Sequence, residues 1–398
     1  MHLFINSAAA SAGGGLTYIR NVLPTLAGAP GLNVTVTLSP GLRQELGNLT
    51  GIQFIEVDST GLRRFWYEQS TLAAAIRNSG AEVLLSAGNV ALRRSPVPQI
   101  LLSRNSLYTS ADFYRDLVSR HAYRSWFDAR LRGVIARRSI AWADATVAPS
   151  KAFAAELRDW TGNPHIVAIH HGFDQKRFAS DANPLANAVA EKLKSAEAAL
   201  KLLFVSHYNY YRNFETLIRS LPLLRKLLPH RSVNLLLTCR LSPGQNPGAY
   251  KTESAARLVT QLGVSDMVLE LGAIPYGQLH QLYRQADIYV TPAYAETFAH
   301  PLVEAMASGL PIVASDLPVH REICESAAIY FPRFSPQDLA HRIAELATSS
   351  DLATQTSLEG LARSQAFSWK KHVDELLALA HSLVVGVTEG ASVRMPAE

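Results

Sequence analysis

Only two cysteines, Cys239 and Cys324, occur in 398 residues, far apart and with no CxxC or HxxxH spacing near them. That excludes a disulfide framework and a thiolate zinc site, and it fits a reducing cytoplasm. No stretch approaches the ~20 consecutive apolar residues of a spanning helix, so any membrane contact is expected to be peripheral. Low-complexity tracts are missing, and no short internal period marks a solenoid. DxD and other clustered carboxylates are also missing, so neither a metal nor another cofactor is expected. Excess charge is scarce: the net charge is +5, too modest to suggest a nucleic-acid partner. The segment "AAASA" near the N-terminus has the small-residue pattern of a signal-peptidase site. The apolar run before it is only Leu3 to Ile5, without a basic leader, so it reads as a first strand.

What is present is a globular composition, 48% hydrophobic and 18% charged. Single cores stop growing at roughly 250–300 residues, so two domains are expected. Short apolar runs alternate with longer amphipathic ones, which is the pattern of βα units feeding parallel sheets. Strands are expected at 2–6, 33–38, 52–57, 82–87, 99–103, 145–150 and 165–170 in the first half. The second half repeats the scheme at 202–207, 233–239, 267–272, 287–292 and 311–315, with helices at 214–228, 276–286 and 301–308 between them. The polar, alanine-rich stretch 172–200 lacks strand character and marks the boundary. The expected architecture is therefore α/β, with two doubly wound Rossmann-like domains, 1–180 and 181–369. Ligands of such sheets bind outside the carboxyl ends of the strands, so two sheets facing each other across a cleft would hold the site between them.

The segment "DIYVTPAYAETFAHPLVEAMASGLPIVASD" (287–316) carries the most specific chemistry. A strand ends at Pro292, a loop carries Glu296, and Pro301 opens a short helix closed by Gly309, as backbone sterics favour. A helix N-terminus offers unpaired amides and partial positive charge, so Leu302 and Val303 could donate to a phosphate, and Glu304, one turn inside, could reach a diol. Taken singly, a glutamate pair eight residues apart is common, and Glu304 could simply complement the helix dipole.

The full string resembles the E-x7-E motif of retaining GT-B glycosyltransferases, in the large family (glycosyltransferase family 4, glycosyl transferases group 1) that includes bacterial mannosyltransferases and sucrose synthase. The resemblance implies a GT-B fold and hexosyl transfer from a UDP- or GDP-sugar to a glycan or lipid-linked acceptor, with retention. It gives Glu296, Thr297, Phe298 and Ala299 to the donor sugar and Glu304 to the ribose, with Ala299 standing where glycine is usual. Ile274, past the strand at 267–272, is placed with the donor-binding residues on the same ground. Upstream, "LLFVSHYNYYRNFETLIRSLPLL" (202–224) is similar to the family's diphosphate-gripping segment, with His207 at its arginine position and Arg212 at its lysine position. Arg212 can hold phosphate oxygens bidentately, whereas His207 neutralises charge only when protonated. Alternatively, Arg212 merely caps a loop.

Three weaker matches complete the resemblance. Gly13, Gly14 and Gly15 follow the first strand and precede a helix expected at 16–26, as in the family's glycine-rich first loop, and read as a close-approach loop. "GGGLTY" is not GxGxxG, and the second strand ends without a ribose-binding acid, which argues against a nicotinamide site. In "QILLSRNSLY", Arg104 and Asn105 stand where many members carry a histidine pair beside the reacting carbon. Arg104 cannot serve as a base but could stabilise the departing phosphate or bind an acidic acceptor; alternatively it is a surface arginine. "VAIHHGFDQKRF" (167–178) resembles the turn leaving the N-terminal domain. Its His170 and His171 are expected on opposite faces of a strand, which argues against a metal pair. The final helix, 370–386, resembles the element that packs back on the first domain.

Arg212, Glu296 and Arg104 are thus the expected catalytic groups. Gly14, Gly15, His207, Arg212, Ile274, Thr297, Phe298, Ala299, Leu302, Val303 and Glu304 are the expected donor contacts. Residues 113–141 interleave Arg115, Arg120, Arg124, Arg130, Arg132, Arg137 and Arg138 with Tyr114, Tyr123, Trp126 and Phe127. Such a basic amphipathic face suits anionic lipid at the inner face of a membrane, or else a solvated helix with its aromatics in the core. A silent sugar-nucleotide-binding scaffold and a sugar-nucleotide epimerase remain alternatives.

Overall fold

The computed structural model describes residues 1–10, 13–27, 29–58, 61–246 and 250–392. Every strand pair in it is parallel. Parallel strands are covered on both faces, and the sequence shows it: Leu3, Phe4 and Ile5 are all buried, as are Leu202, Leu203 and Phe204. Among the described residues, the first sheet joins β1 (His2–Asn6), β2 (Asn33–Leu38), β3 (Ile52–Glu56), β4 (Val83–Ser86), β5 (Gln99–Leu102), β6 (Ala145–Ala148) and β7 (Ile166–Ala168). Their order is β3-β2-β1-β4-β5-β6-β7. The second joins β8 (Leu200–Phe204), β9 (Val233–Leu237), β10 (Val268–Glu270), β11 (Ile288–Thr291), β12 (Ile312–Ser315) and β13 (Ile329–Phe331), in the order β10-β9-β8-β11-β12-β13. Both are doubly wound, and each reverses direction beside its first strand, at β1/β4 and at β8/β11.

The helices used below are α1 (Gly13–Leu26), α2 (Ala111–Ser119), α3 (Tyr123–Trp142), α4 (Phe214–Leu227), α5 (Leu279–Gln285), α6 (His300–Ala307) and α7 (Trp369–Ser392). The chain forms two compact units. The first holds residues 1–109, 122–172 and 368–398, and the second holds 110–121 and 173–367. The expected boundary at 180 therefore moves to 172. Phe178 explains the shift, because its ring packs on Tyr276, His280 and Tyr283 of the second unit. In the first unit, Gly172 lies against α7 so closely that a Cβ there would sit 2.1 Å from the Trp369 nitrogen. A methyl group cannot be accommodated at that position.

Residues 110–121 are the larger surprise, since they fall between β5 and β6 in sequence yet belong to the second unit. Ion pairs and hydrogen bonds hold them there. Arg120 bonds Asp116 (2.7 Å) and Glu215 (2.8 Å) and lies over the Tyr210 ring, Tyr294 donates to Asp116 (2.8 Å), and Arg333 donates to Asp112 (2.7 Å). Phe113 and Tyr114 are buried, so the basic face expected over 113–141 does not extend through α2. It survives on α3, where Ala129, Gly133, Ala136 and Ile140 are buried while Tyr123, Phe127, Leu131 and Val134 are exposed, Phe127 by 68%. That outer stripe recurs at helical spacing and is bordered by Arg124, Arg130, Arg137 and Arg138, all exposed.

Candidate active site

The two motif loops leave the carboxyl ends of β8 and β11, at the switch point of the second sheet. The first closes through a 3-10 turn at Tyr210–Arg212 and then Asn213, which adopts a left-handed conformation (φ 55°) before α4. Asparagine tolerates that region, and here its buried side chain ties three loops together. Its Nδ2 donates to the carbonyls of Pro292 (3.0 Å) and Arg333 (2.7 Å), and its Oδ1 accepts from the Thr216 hydroxyl (2.8 Å). The Tyr294 amide adds a bond to Tyr211 O (3.0 Å). Nothing in the resemblance singled out Asn213; its place at a loop-to-helix junction was the available signal.

This clamp brings Arg212 and Glu296 into contact. Arg212 Nη1 donates to the Glu296 carboxylate, with the side chains 21% and 11% exposed. Burial alone would raise the Glu296 pKa, but Arg212, with the Thr297 amide (3.0 Å) assisting, holds it below the usual carboxylate range. Glu296 in turn raises Arg212 against its own burial, so both groups are charged. Arg212 Nε is buried with no partner among the described residues, and its guanidinium carbon lies 5.1 Å from the centre of the Tyr211 ring. The residues expected to hold diphosphate and sugar separately thus hold each other. His320, fully buried close by, bonds Ser315 O through Nδ1 (2.9 Å) and has an unpartnered Nε2, and burial lowers its pKa.

Farther along the second loop, the Phe298 ring is buried against His300 and Phe367, so only its backbone can face a ligand. Ala299 caps α6 with φ 63° and ψ 61°, a conformation that explains why glycine suits this position. The Leu302 amide, expected to serve a phosphate, instead closes the first turn onto Ala299 O (2.9 Å), because the αL cap turns that carbonyl toward it. The Leu302 and Val303 side chains are buried. Glu304 is only 4% exposed and accepts from the Tyr283 hydroxyl (2.8 Å). Burial pushes its pKa up to about 7, with Tyr283 opposing. His207 is exposed in the first loop, and Ile274 is half-buried beyond β10, which β9 separates from β8.

The first unit has its own cluster at the β1/β4 switch point. Gly13, Gly14 and Gly15 are the first turn of α1 rather than a loop ahead of it. Arg104, after β5, donates to Gly14 O (3.0 Å) and Ala87 O (2.5 Å) and lies over the Tyr18 ring. β7 ends at Ala168, so His170 and His171 follow the strand instead of alternating on it. His171 is buried and stacked on Trp369, and the carbonyl of His170 accepts from His372 Nδ1 (2.8 Å). Among the described residues, no group of three His, Cys, Asp or Glu side chains converges, and no helix is long and apolar enough to cross a membrane.

Comparison with known proteins gives a consistent picture. The family model described as "Glycosyl transferases group 1" matches residues 187–363, and that described as "Glycosyltransferase Family 4" matches 12–177. The D-inositol 3-phosphate glycosyltransferase of Nocardia farcinica is 26% identical over 259 residues, 64% of this chain and 56% of its own length. That of Streptomyces scabiei is 26% identical over 57% of this chain and 51% of its own length. The chain spans about half the length of these relatives. In fold it resembles the sucrose-phosphate synthase of Thermosynechococcus elongatus, with a TM-score of 0.75 and 19% identity over 97% of this chain and 100% of that one. It also resembles Anabaena HepE in complex with UDP and glucose, with a TM-score of 0.70 and 16% identity over 96% of this chain and 100% of that one.

Proposed function

The chain belongs to the GT-B glycosyltransferases, its second half matching the group 1 glycosyl transferases and its first half glycosyltransferase family 4, and on that premise we propose that it transfers a hexosyl unit from a UDP- or GDP-linked sugar to a hydroxyl acceptor. The observation that carries this reading is the meeting of Arg212 and Glu296 on clamped loops at the β8/β11 switch point. Negative charge grows on the diphosphate as the glycosidic bond breaks, and a fixed guanidinium stabilises it there. Arg212 has unused donors for this, including a buried Nε. Glu296, already ionised, accepts from sugar hydroxyls, and Glu304 accepts from the ribose diol. Ile274 and the backbone from Thr297 to Ala299 line the donor. HepE, whose fold this chain shares, binds UDP and glucose, which supports a nucleoside diphosphate as ligand.

Retention of configuration is part of the proposal, with attack on the same face assisted by the leaving phosphate oxygen. The acceptor we propose is a glycan or a lipid-linked saccharide, reached at an anionic membrane surface through the outer stripe of α3. Arg212 carries the leaving group without a metal. Incubation with labelled UDP- and GDP-sugars in excess EDTA tests the reaction. Sugar release or transfer should persist, and activity that vanishes and returns only with Mg²⁺ or Mn²⁺ contradicts the assignment to Arg212.

A further inference from the structure

Apart from the motif residues, the second unit holds a cavity of about 520 Å³ that the donor chemistry above does not use. Small-molecule sites span roughly 300–1,000 Å³, so a single sugar ring fits. Asp316 follows β12, Arg333 and Phe334 follow β13, and Asp112 and Arg115 come from α2. Adjacent strands lie ~4.8 Å apart and the order here is β11-β12-β13, which puts this lining roughly 5–10 Å from the β11 loop that carries Glu296. Tyr294 of that loop joins the two places. Its ring centre lies 5.5 Å from that of Phe334, and its hydroxyl donates to Asp116 on α2 (2.8 Å).

Every charged group in the lining is already paired. Arg333 gives Nε (2.7 Å) and Nη2 (2.6 Å) to Asp112, whose other oxygen takes Arg115 Nη2 (2.5 Å). Asp316 accepts from Arg321 through both oxygens (2.5 and 2.8 Å), and those bonds hold it below the usual carboxylate range. A charged ligand would have to compete with these pairs. What is left over suits hydroxyls, which both donate and accept: Arg333 Nη1 has no partner among the described residues, and each Asp316 oxygen can accept again.

Beside these groups stands an aromatic face. Phe334 is 52% exposed, yet its loop is fixed at both ends. Asn213 Nδ2 bonds Arg333 O (2.7 Å), and Ser335 caps the helix Pro336–Thr348 by accepting from the Asp338 amide (3.2 Å). A fixed aromatic face next to spare donors and acceptors matches a pyranose, which has an apolar C–H face and a hydroxylated rim.

We propose that this cavity is a subsite for a neutral sugar ring, stacked on Phe334 and hydrogen-bonded by Arg333 and Asp316, and that the ring belongs to the acceptor, one or two sugars away from the one that receives the hexosyl unit. The ligand class rests on the lining alone. Only its membership of the acceptor rests on the glycosyltransferase reading.

Saturation-transfer NMR with methyl α-D-mannopyranoside and methyl β-D-glucopyranoside at millimolar concentration tests it on wild type, Phe334→Ala, Phe334→Trp and Glu296→Ala. At least one glycoside should bind wild type, with the strongest transfer to the ring protons of one face. Phe334→Ala should weaken that binding roughly fivefold to tenfold, and Phe334→Trp should keep it. Glu296→Ala should leave it unchanged, because Glu296 serves the donor sugar. Glucuronate and glucosamine should bind no tighter than the neutral glycosides, and UDP and GDP should bind Phe334→Ala as they bind wild type. No glycoside signal, a signal that survives Phe334→Ala, a signal lost in Glu296→Ala, a tighter charged probe, or altered nucleotide binding in Phe334→Ala each overturns the proposal. If neither nucleotide binds wild type, the glycosyltransferase reading fails, and the glycoside arm still decides whether the cavity holds a sugar.

Discussion

Ala299 shows how one methyl group registers in this site. It holds a left-handed backbone at the start of α6, where an L-residue with a Cβ is strained by roughly 1–2 kcal/mol. Ala299→Gly relieves that strain and gives back about 0.5–1 kcal/mol through the freer unfolded chain. The variant should therefore gain on the order of 0.5–1 kcal/mol in urea denaturation, with an unchanged slope. A loss of stability would show that the methyl's contacts outweigh its strain. The substitution was visible in the motif, but its meaning needed the φ angle.

At the scale of the element, α6 carries a carboxylate whose burial has consequences for both stability and binding. The Glu304 pKa is about 7 in the folded chain against an ordinary 4.5. Between these values the unfolded chain gives up its proton first, so rising pH costs the fold stability, and the full cost is present above pH 7. Glu304→Gln removes that cost, which is on the order of 3 kcal/mol. The variant should melt higher than wild type at pH 8 and equally at pH 4.5. Nucleoside diphosphate binding should move the other way, weaker in the variant at pH 8 and converging with wild type as Glu304 protonates. Melting curves that coincide at both pH values would place the ionised carboxylate in a polar environment instead.

The helix α3 poses a different problem, because its two apolar faces oppose each other and blur the single stripe that periodicity detects. Its outer ribbon of Tyr123, Phe127, Leu131 and Val134, bordered by arginines, should bind vesicles containing anionic lipid and float with them at low salt. Phe127→Asp together with Leu131→Asp should abolish flotation while leaving the far-ultraviolet spectrum unchanged. Wild-type protein that stays at the bottom of the gradient removes the membrane proposal.

For the whole molecule, strands were the most legible feature, since parallel sheets bury both faces and leave continuous apolar runs. Each strand expected from the sequence is present, usually a residue or two shorter. β13 (Ile329–Phe331) was not among the strands expected from the sequence, although it is as long as β7 and β10, which were. The allegiance of residues 110–121 was not legible either, as it depends on partners nearly a hundred or more positions away, such as Glu215, Tyr294 and Arg333. The motif placed Arg212, Glu296 and Glu304 on the right elements, but sequence spacing could not show that the first two bond each other or that Tyr283 holds the third.

Those two glutamates give the most direct test of the donor site. In calorimetric titrations with UDP and GDP, one nucleotide should bind wild type. Glu304→Ala should lose roughly tenfold to a hundredfold in affinity for it, as two charge-assisted bonds from the ribose go unmade. Glu296→Ala should bind that nucleotide as well as wild type or better, because Arg212 is released to the phosphates, and should weaken only the sugar-linked form. If both variants bind the free nucleotide like wild type, or both lose it equally, the division of ribose and sugar between Glu304 and Glu296 is contradicted.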